Sequence, residues 1–197
     1  IVAHLGHGCR LCAMLDGKSV ATTMGFTALD GLPMATRVGA IDPGVLLHLL
    51  KERGLSIAEL ERCLYEESGL LGVSGISGDV RALEASEDPR AAETLDYFAY
   101  RIAREVGALT VALGGLDALV FTAGIGENSQ GVRARVMDRL RWMGIAPVHE
   151  KRPAPVRLTQ EDSRIAAWSI PTNEEFVLAR HALAALAPDA RAKRPRR

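Results

Sequence analysis

The pattern of apolar and polar positions divides this chain into three parts. The first is strand-like. Residues 1–5 form a short apolar run that predicts a buried strand, and Gly6-His7-Gly8 turns the chain. Residues 9–15 form a second run. Asp16-Gly17 is a strong hairpin signal, and residues 18–24 supply a third run. Two hairpins in succession predict an antiparallel meander, not a βαβ unit. Residues 25–42 are rich in glycine and polar side chains, lack a helical period and predict a long functional loop.

The second part has helical spacing. Pro43 suits a first helical turn; Val45, Leu46, Leu49 and Leu50 give one apolar stripe, and Gly54 ends it. Ser56 and Glu59 form a capping-box pattern for the next helix. A glycine- and serine-rich stretch covers residues 69–78. Asp88-Pro89 then opens a longer helix, in which Leu95, Phe98, Ile102, Val106, Leu109 and Leu113 keep one face apolar until Gly114-Gly115. In the third part strand and helix alternate. Residues 116–122 are continuously apolar, as in a strand buried on both faces. Residues 123–128 read as a glycine loop and 129–143 as a helix. A weak strand is expected near residues 145–148 and another at 165–170. Pro171-Thr172-Asn173 opens a final helix to about Leu186. The order predicts a mixed α/β layer architecture.

Composition narrows the class. The chain has 197 residues, 48% of them hydrophobic, with 24 basic and 24 acidic side chains. Such a chain buries a sizeable core and is not disordered. Three cysteines do not make a secreted disulfide framework. No apolar run approaches the ~20 residues that span a bilayer, and no signal peptide opens the chain. A cytoplasmic location is the expectation. Residues 187–197 carry five basic groups and one acidic group, which leaves 19 basic and 23 acidic residues elsewhere. A body charge of −4 gives no support for nucleic-acid binding, and the basic tail reads as a solvated terminus. The opening at Ile1, apolar and without a Met, predicts a piece of a longer protein.

Three motifs fail on their context. Cys9-Arg10-Leu11-Cys12 spells a redox pair, but it lies in a strand, where residues three apart face opposite ways. Gly17-Lys18-Ser19 spells the end of a phosphate loop inside a hairpin, and the earlier glycine is replaced by Cys12. Gly6-His7-Gly8 begins a dinucleotide fingerprint without its third glycine or its helix.

Four turns survive, each where free backbone N–H groups suit an anion. They are His4-Leu5-Gly6-His7-Gly8, the segment from Ala35 to Pro43 with the lone guanidinium of Arg37, Ser77-Gly78-Asp79-Val80-Arg81, and Gly124-Ile125-Gly126-Glu127-Asn128. Each alone is ordinary connection; together in one chain they predict a nucleotide site. In Pro171-Thr172-Asn173-Glu174-Glu175 the acidic pair either compensates a helix dipole or brings a carboxylate to Mg²⁺ beside phosphates.

These stretches, read as HLGHG, MATRVGAIDP, ESGLLGVSGISGDVR, VFTAGIGEN and IPTNEE, together resemble the acetate kinase family, across nearly the whole chain and in order. The resemblance implies a ribonuclease H-like fold of the actin, sugar-kinase and Hsp70 superfamily. It implies reversible phosphoryl transfer between ATP and a short-chain carboxylate such as acetate, giving ADP and an acyl phosphate with Mg²⁺. It implies that His4, Leu5, Gly6, His7 and Gly8 hold the phosphates, and that Asp79, Val80 and Arg81 lie near the nucleotide. Gly124, Ile125, Gly126, Glu127 and Asn128 would cradle the adenosine, Arg37 would stabilise the migrating phosphoryl group, and Glu174 would serve the metal. Residues 1–186 would be the nucleotide-binding C-terminal domain, with 187–197 a flexible tail. The partners implied are an N-terminal half, which carries the remaining catalytic groups, and a second copy in a homodimer. This chain alone is then expected not to turn over. The alternatives are a propionate or butyrate kinase and a non-catalytic ATP-binding fragment. One departure stands out: His7 occupies a place where the family usually has Asn.

Overall fold

In a computed structural model, which describes residues 1–148 and 155–186, the chain folds around one six-stranded mixed sheet. Strands β1 (Val2–Leu5), β2 (Cys9–Leu15) and β3 (Lys18–Thr22) form the expected antiparallel meander, turned at Asp16 and Gly17 with both φ angles positive. Strand β4 (Ala118–Thr122) pairs parallel with β1, and β6 (Ala166–Ser169) pairs parallel with β4. A two-residue β5 (Val156–Arg157) closes the edge antiparallel to β6, giving the order β3-β2-β1-β4-β6-β5.

Between the meander and β4 lie five helices. Helix α1 (Pro43–Lys51) starts at Pro43 with Asp42 accepting from the Gly44 N–H. Helix α2 (Ile57–Glu66) carries the complete Ser56–Glu59 capping box. Two short helices, α3 (Gly69–Ser74) and α4 (Val80–Glu84), lie where only a glycine-rich stretch and a turn were expected. Helix α5 (Pro89–Leu113) is capped by Asp88 and stopped by Gly114 at φ 71°. Its predicted stripe faces the core: Leu95, Phe98, Ile102, Val106 and Leu109 are buried, and Leu113 is partly buried against them.

Besides the unexpected β5, the third part differs from expectation in four places. Residues 123–128 are a single-turn helix, α6 (Ala123–Asn128), not a glycine loop. Two internal bonds hold that turn despite its glycines: the Glu127 carboxylate accepts from the Ala123 N–H, and the Asn128 amide donates to Gly124 O. The following helix stops earlier than read: α7 (Gln130–Arg139) is followed by a 3₁₀ turn, Arg141–Met143. The weak strand near 145–148 reduces to one bridge, Pro147 to Thr159. Strand β4 is not buried on both faces; its exposure alternates, as in β1 and β6. Ala3, Leu5, Leu11, Leu119, Phe121 and Ala167 face the core shared with α5 and α7, whereas Val2, His4, Val120 and Trp168 lie on a half-covered face. Helix α8 (Glu174–Leu186) ends the described residues and buries none of its side chains. The basic tail, 187–197, lies outside the described residues. Among those residues no helix is long and apolar enough to cross a membrane.

Candidate functional site

A cleft of about 570 Å³ opens where four turns meet. Gly6 and His7 come from the β1–β2 turn, and Ala35 and Thr36 from the long loop. Gly78, Asp79, Val80, Arg81 and Glu84 come from the start of α4. Gly124, Ile125, Asn128 and Ser129 come from α6 and the residue after it. These are the four segments singled out by sequence, drawn from Gly6 to Ser129, and folding brings them to one wall-lined space.

Backbone contacts fix the loop that carries Arg37. The N–H groups of Ser68, Leu70 and Leu71 donate to the carbonyls of Thr36, Met34 and Ala35, while the Val38 N–H donates to Leu64 O. Two glycines make this approach possible. A Cβ on Gly78 would stand 2.6 Å from Ala35 O. Gly69, with φ +61°, faces Met34 and Arg37, and a Cβ there would stand 2.8 Å from Arg37 O. Gly69→Ala combines a left-handed backbone with a backbone clash, so it is expected to destabilise the fold by about 2–4 kcal/mol. Chemical denaturation of the full-length protein checks this through its midpoint.

Arg37 itself does not line the cleft. Its guanidinium donates to Met34 Sδ at 3.8 Å, and among the described residues it has no carboxylate partner. Asp79 and Arg81 do line it, as an exposed pair with Arg81 Nη2 2.6 Å from Asp79 Oδ2. The Arg81 hydrogen bonds hold the Asp79 carboxyl below the usual carboxylate range. Leu5 is fully buried in the core, and Gly8 contributes its carbonyl to the Gly6 N–H. Gly126 is buried against Phe121, so neither its backbone nor Leu5 faces the cleft.

Glu127 turns inward rather than toward the cleft. Its Oε1 accepts from the N–H groups of Ala123 (2.8 Å) and Thr172 (2.9 Å), and the Thr122 and Thr172 hydroxyls bond beside it. One carboxylate thus ties the β4–α6 junction to the turn before α8. It also holds Ala123 at φ 66°, a conformation unfavourable for a residue with a Cβ. Arg133, buried on α7, donates to the carbonyls of Gly126 and Glu127, and burial lowers its pKa. Ser129 donates to Glu84 Oε1 at 2.6 Å across the cleft wall.

His4 does not line the large cleft, but its Nε2 stands 4.0 Å from where a Cβ on Gly6 would be. It lines a second cavity of about 380 Å³ with Val2, Arg10, Cys12, Ser19, Thr22 and Met24 on the half-covered sheet face. Glu174, at the start of α8, places Oε1 3.8 Å from His4 Nε2 and 3.7 Å from Arg10 Nη2. Burial, then Arg10, lowers the His4 pKa against the pull of Glu174 and Glu127, so the imidazole is neutral at pH 7. Sequence reasoning passed over Arg10. Its signal was the alternation of β2, which sets Arg10 on the face opposite buried Leu11, where the β1–β2 register pairs it directly with His4.

The rejected redox pair behaves as a strand pair. Cys9 is buried and its thiol is pushed up to about 12, while Cys12 lies on the other face. Among the described residues no group of three or more His, Cys, Asp or Glu side chains could hold a metal ion.

A family model described as the acetokinase family matches residues 1–180. The acetate kinase of Rhodopseudomonas palustris strain TIE-1 is 54% identical over 184 residues, which are 92% of this chain and 46% of that protein. The acetate kinase of Rickettsia akari is 45% identical over 180 residues, 91% of this chain and 47% of its own. Among solved structures, an acetate kinase of Porphyromonas gingivalis is similar at TM-score 0.88 and 36% identity, over 94% of this chain and 48% of that one. A propionate kinase of Francisella tularensis is similar at TM-score 0.84 and 38% identity, over 90% and 47%. The chain spans about half the length of the curated relatives it matches.

Proposed function

The chain belongs to the acetokinase family, and on that premise we propose that it is the nucleotide-binding half of a kinase acting on a short-chain carboxylate. Its fold, an α/β mixed sheet flanked by helices, is the one the resemblance implied. The reaction is attack of a carboxylate oxygen on the γ-phosphorus of ATP. One P–O bond forms, the bond to the ADP oxygen breaks, and an acyl phosphate results. The reverse transfer uses the same groups.

The observation that carries this reading is the convergence of four glycine-bearing turns on one cleft. Gly124, Ile125 and Asn128 form an open, partly apolar wall suited to a nucleobase and ribose. Gly6 and His7, on the turn between β1 and β2, suit the phosphates. Asp79 and Arg81 sit at the rim, where an already formed ion pair offers both an acceptor and a cation. The phosphoryl transition state spreads negative charge over its equatorial oxygens, so catalysis is chiefly positioning and charge stabilisation. Arg37 supplies that charge from the loop beside the cleft. Neutral His4 offers an N–H to an oxyanion without a charge of its own.

Mg²⁺ in phosphoryl transfer commonly rests on one or two carboxylates, phosphate oxygens and water. The donor set here fits that mode, since Glu174 is an exposed carboxylate at the His4 end of the sheet. Mg²⁺ would supply charge neutralisation at the phosphates. Arg10, 3.7 Å away, competes for the same oxygen. Glu174→Ala is expected to remove most of the gain in ATP affinity that Mg²⁺ gives the full-length protein. Calorimetric titration of ATP with and without Mg²⁺ checks it; an unchanged metal dependence defeats the assignment.

The acceptor is acetate on the names of the relatives above, with propionate as the second reading because a propionate kinase is also similar in structure. The working enzyme combines this half with an N-terminal half and forms a homodimer. The deciding experiment is acyl-hydroxamate detection with the full-length protein, ATP, Mg²⁺ and acetate, propionate or butyrate in turn. Nucleotide binding without product on any acid would leave only a non-catalytic ATP-binding module.

A further inference from the structure

The Arg37 loop has a closed neck. The Ala40 N–H donates to Gly31 O at 2.9 Å, and nearer the tip the Met34 N–H donates to Arg37 O at 3.0 Å. Arg101, on the core side of α5, reaches this neck. Its Nη2 donates to Gly31 O at 3.5 Å and to Ala40 O at 3.4 Å, one carbonyl from each side of the neck. Its Nη1 donates to the Tyr97 hydroxyl at 2.8 Å, one helical turn back, with the guanidinium carbon 5.7 Å from the Tyr97 ring centroid.

Arg101 is only 8% exposed, as is Arg133, and no carboxylate pairs with it among the described residues. What sets it apart is a buried Nε with no hydrogen-bond partner. A buried guanidinium without a counter-ion is costly. A Leu or Met would fill the same place on α5 more cheaply if packing were all that was needed. What an apolar side chain lacks is a donor fork able to hold two carbonyls at once.

We propose that Arg101 is a positioning residue that clamps the neck of the Gly31–Ala40 loop and thereby fixes the pose of Arg37 toward the migrating phosphoryl group. The catalytic consequence rests on the kinase reading; the clamp does not. A lysine reaches one carbonyl but lacks the fork, so it restores part of the effect. Misplacing a catalytic group by about 1 Å from a remote change costs on the order of 10²-fold in rate. Ala35 and Thr36 of this loop line the cleft, but the turns assigned to the phosphates and the adenosine, at Gly6 and His7 and at Gly124 to Asn128, stand on other elements, so the loss falls chiefly on kcat and largely spares the KM for ATP.

The test uses the full-length protein with Arg101→Met, Arg101→Lys and Tyr97→Phe, the last removing the acceptor of Nη1. Arg101→Met is expected to lower kcat by about 10²-fold with the KM for ATP nearly unchanged. Arg101→Lys recovers part of the loss, and Tyr97→Phe shows a smaller fall of the same kind. Amide exchange at Ala40 and Met34 rises in Arg101→Met while β1 and β2 keep their protection. Unchanged exchange at Ala40, retained kcat, or a rise in KM alone would overturn the proposal. If Arg101→Met does not fold, the other two variants decide, and unchanged kcat in both overturns it. Failure of the unaltered protein to make acyl phosphate would strike the kinase reading, whereas exchange at Ala40 reports the clamp without turnover.

Discussion

Replacing Arg37 by alanine is expected to lower turnover by about 10³-fold while leaving ATP affinity nearly unchanged. The asymmetry follows from where the side chain sits. Ala35 and Thr36 line the cleft and Arg37 does not, so its guanidinium is not part of the nucleotide wall. Backbone bonds from Ser68, Leu70 and Leu71 lock the loop, and the guanidinium hydrogen-bonds a thioether and no carboxylate among the described residues. An arginine held by its backbone and not consumed by a carboxylate is a charge in reserve for an anion that forms during reaction. Interactions made only in the transition state appear in kcat and not in ground-state binding. Steady-state kinetics by acyl-hydroxamate formation, with calorimetric ATP binding, separates the two. Weakened ATP binding with retained turnover would make Arg37 a nucleotide clamp instead.

The elements most legible in the sequence are those set by local chemistry. Asp16-Gly17 fixes the hairpin, Ser56 and Glu59 cap α2 reciprocally, and the stripe from Leu95 to Leu109 defines the α5 core. What escaped was set by tertiary partners. Gly124 and Gly126 argue against helix, but Arg133 of α7 holds the carbonyl end of α6, and Glu127, which closes the turn at Ala123, is itself anchored by the Thr172 N–H. A two-residue β5 has no periodicity to read. Arg101 reads as a polar interruption of an apolar stripe, and only the folded loop neck gives it acceptors. The site itself was legible as a set of turns but not in its internal geometry. His4 and Gly6 share a motif, but strand alternation sends the His4 side chain to the half-covered face while the turn after Leu5 reaches the cleft. A motif read as one string therefore contributes to two cavities.

The 197 residues by themselves are expected to give no acyl phosphate above background. Three features of the described residues support this. Val2, His4, Val120 and Trp168 make a sheet face with no helix layer over it, and His4, Arg10 and Glu174 stand on that side. Helix α8 buries nothing and shows Phe176, Leu178, Leu183 and Leu186 to solvent. Among the described residues, the charge assigned to catalysis is a single arginine, with no second cation from the same loop to hold the acceptor carboxylate. A transfer between two substrates gains most of its rate from fixing both in one geometry, an effect equivalent to effective molarities of about 10⁵ M or more. A half that holds only the nucleotide forfeits that gain, so turnover should fall by at least about 10⁵-fold relative to the full-length protein. Adding a separately purified N-terminal half should restore activity and protect the outer sheet face and α8 from amide exchange. Vigorous turnover by the 197 residues without that addition would mean that the acceptor site lies within this chain, and the division of labour proposed between two halves would be wrong.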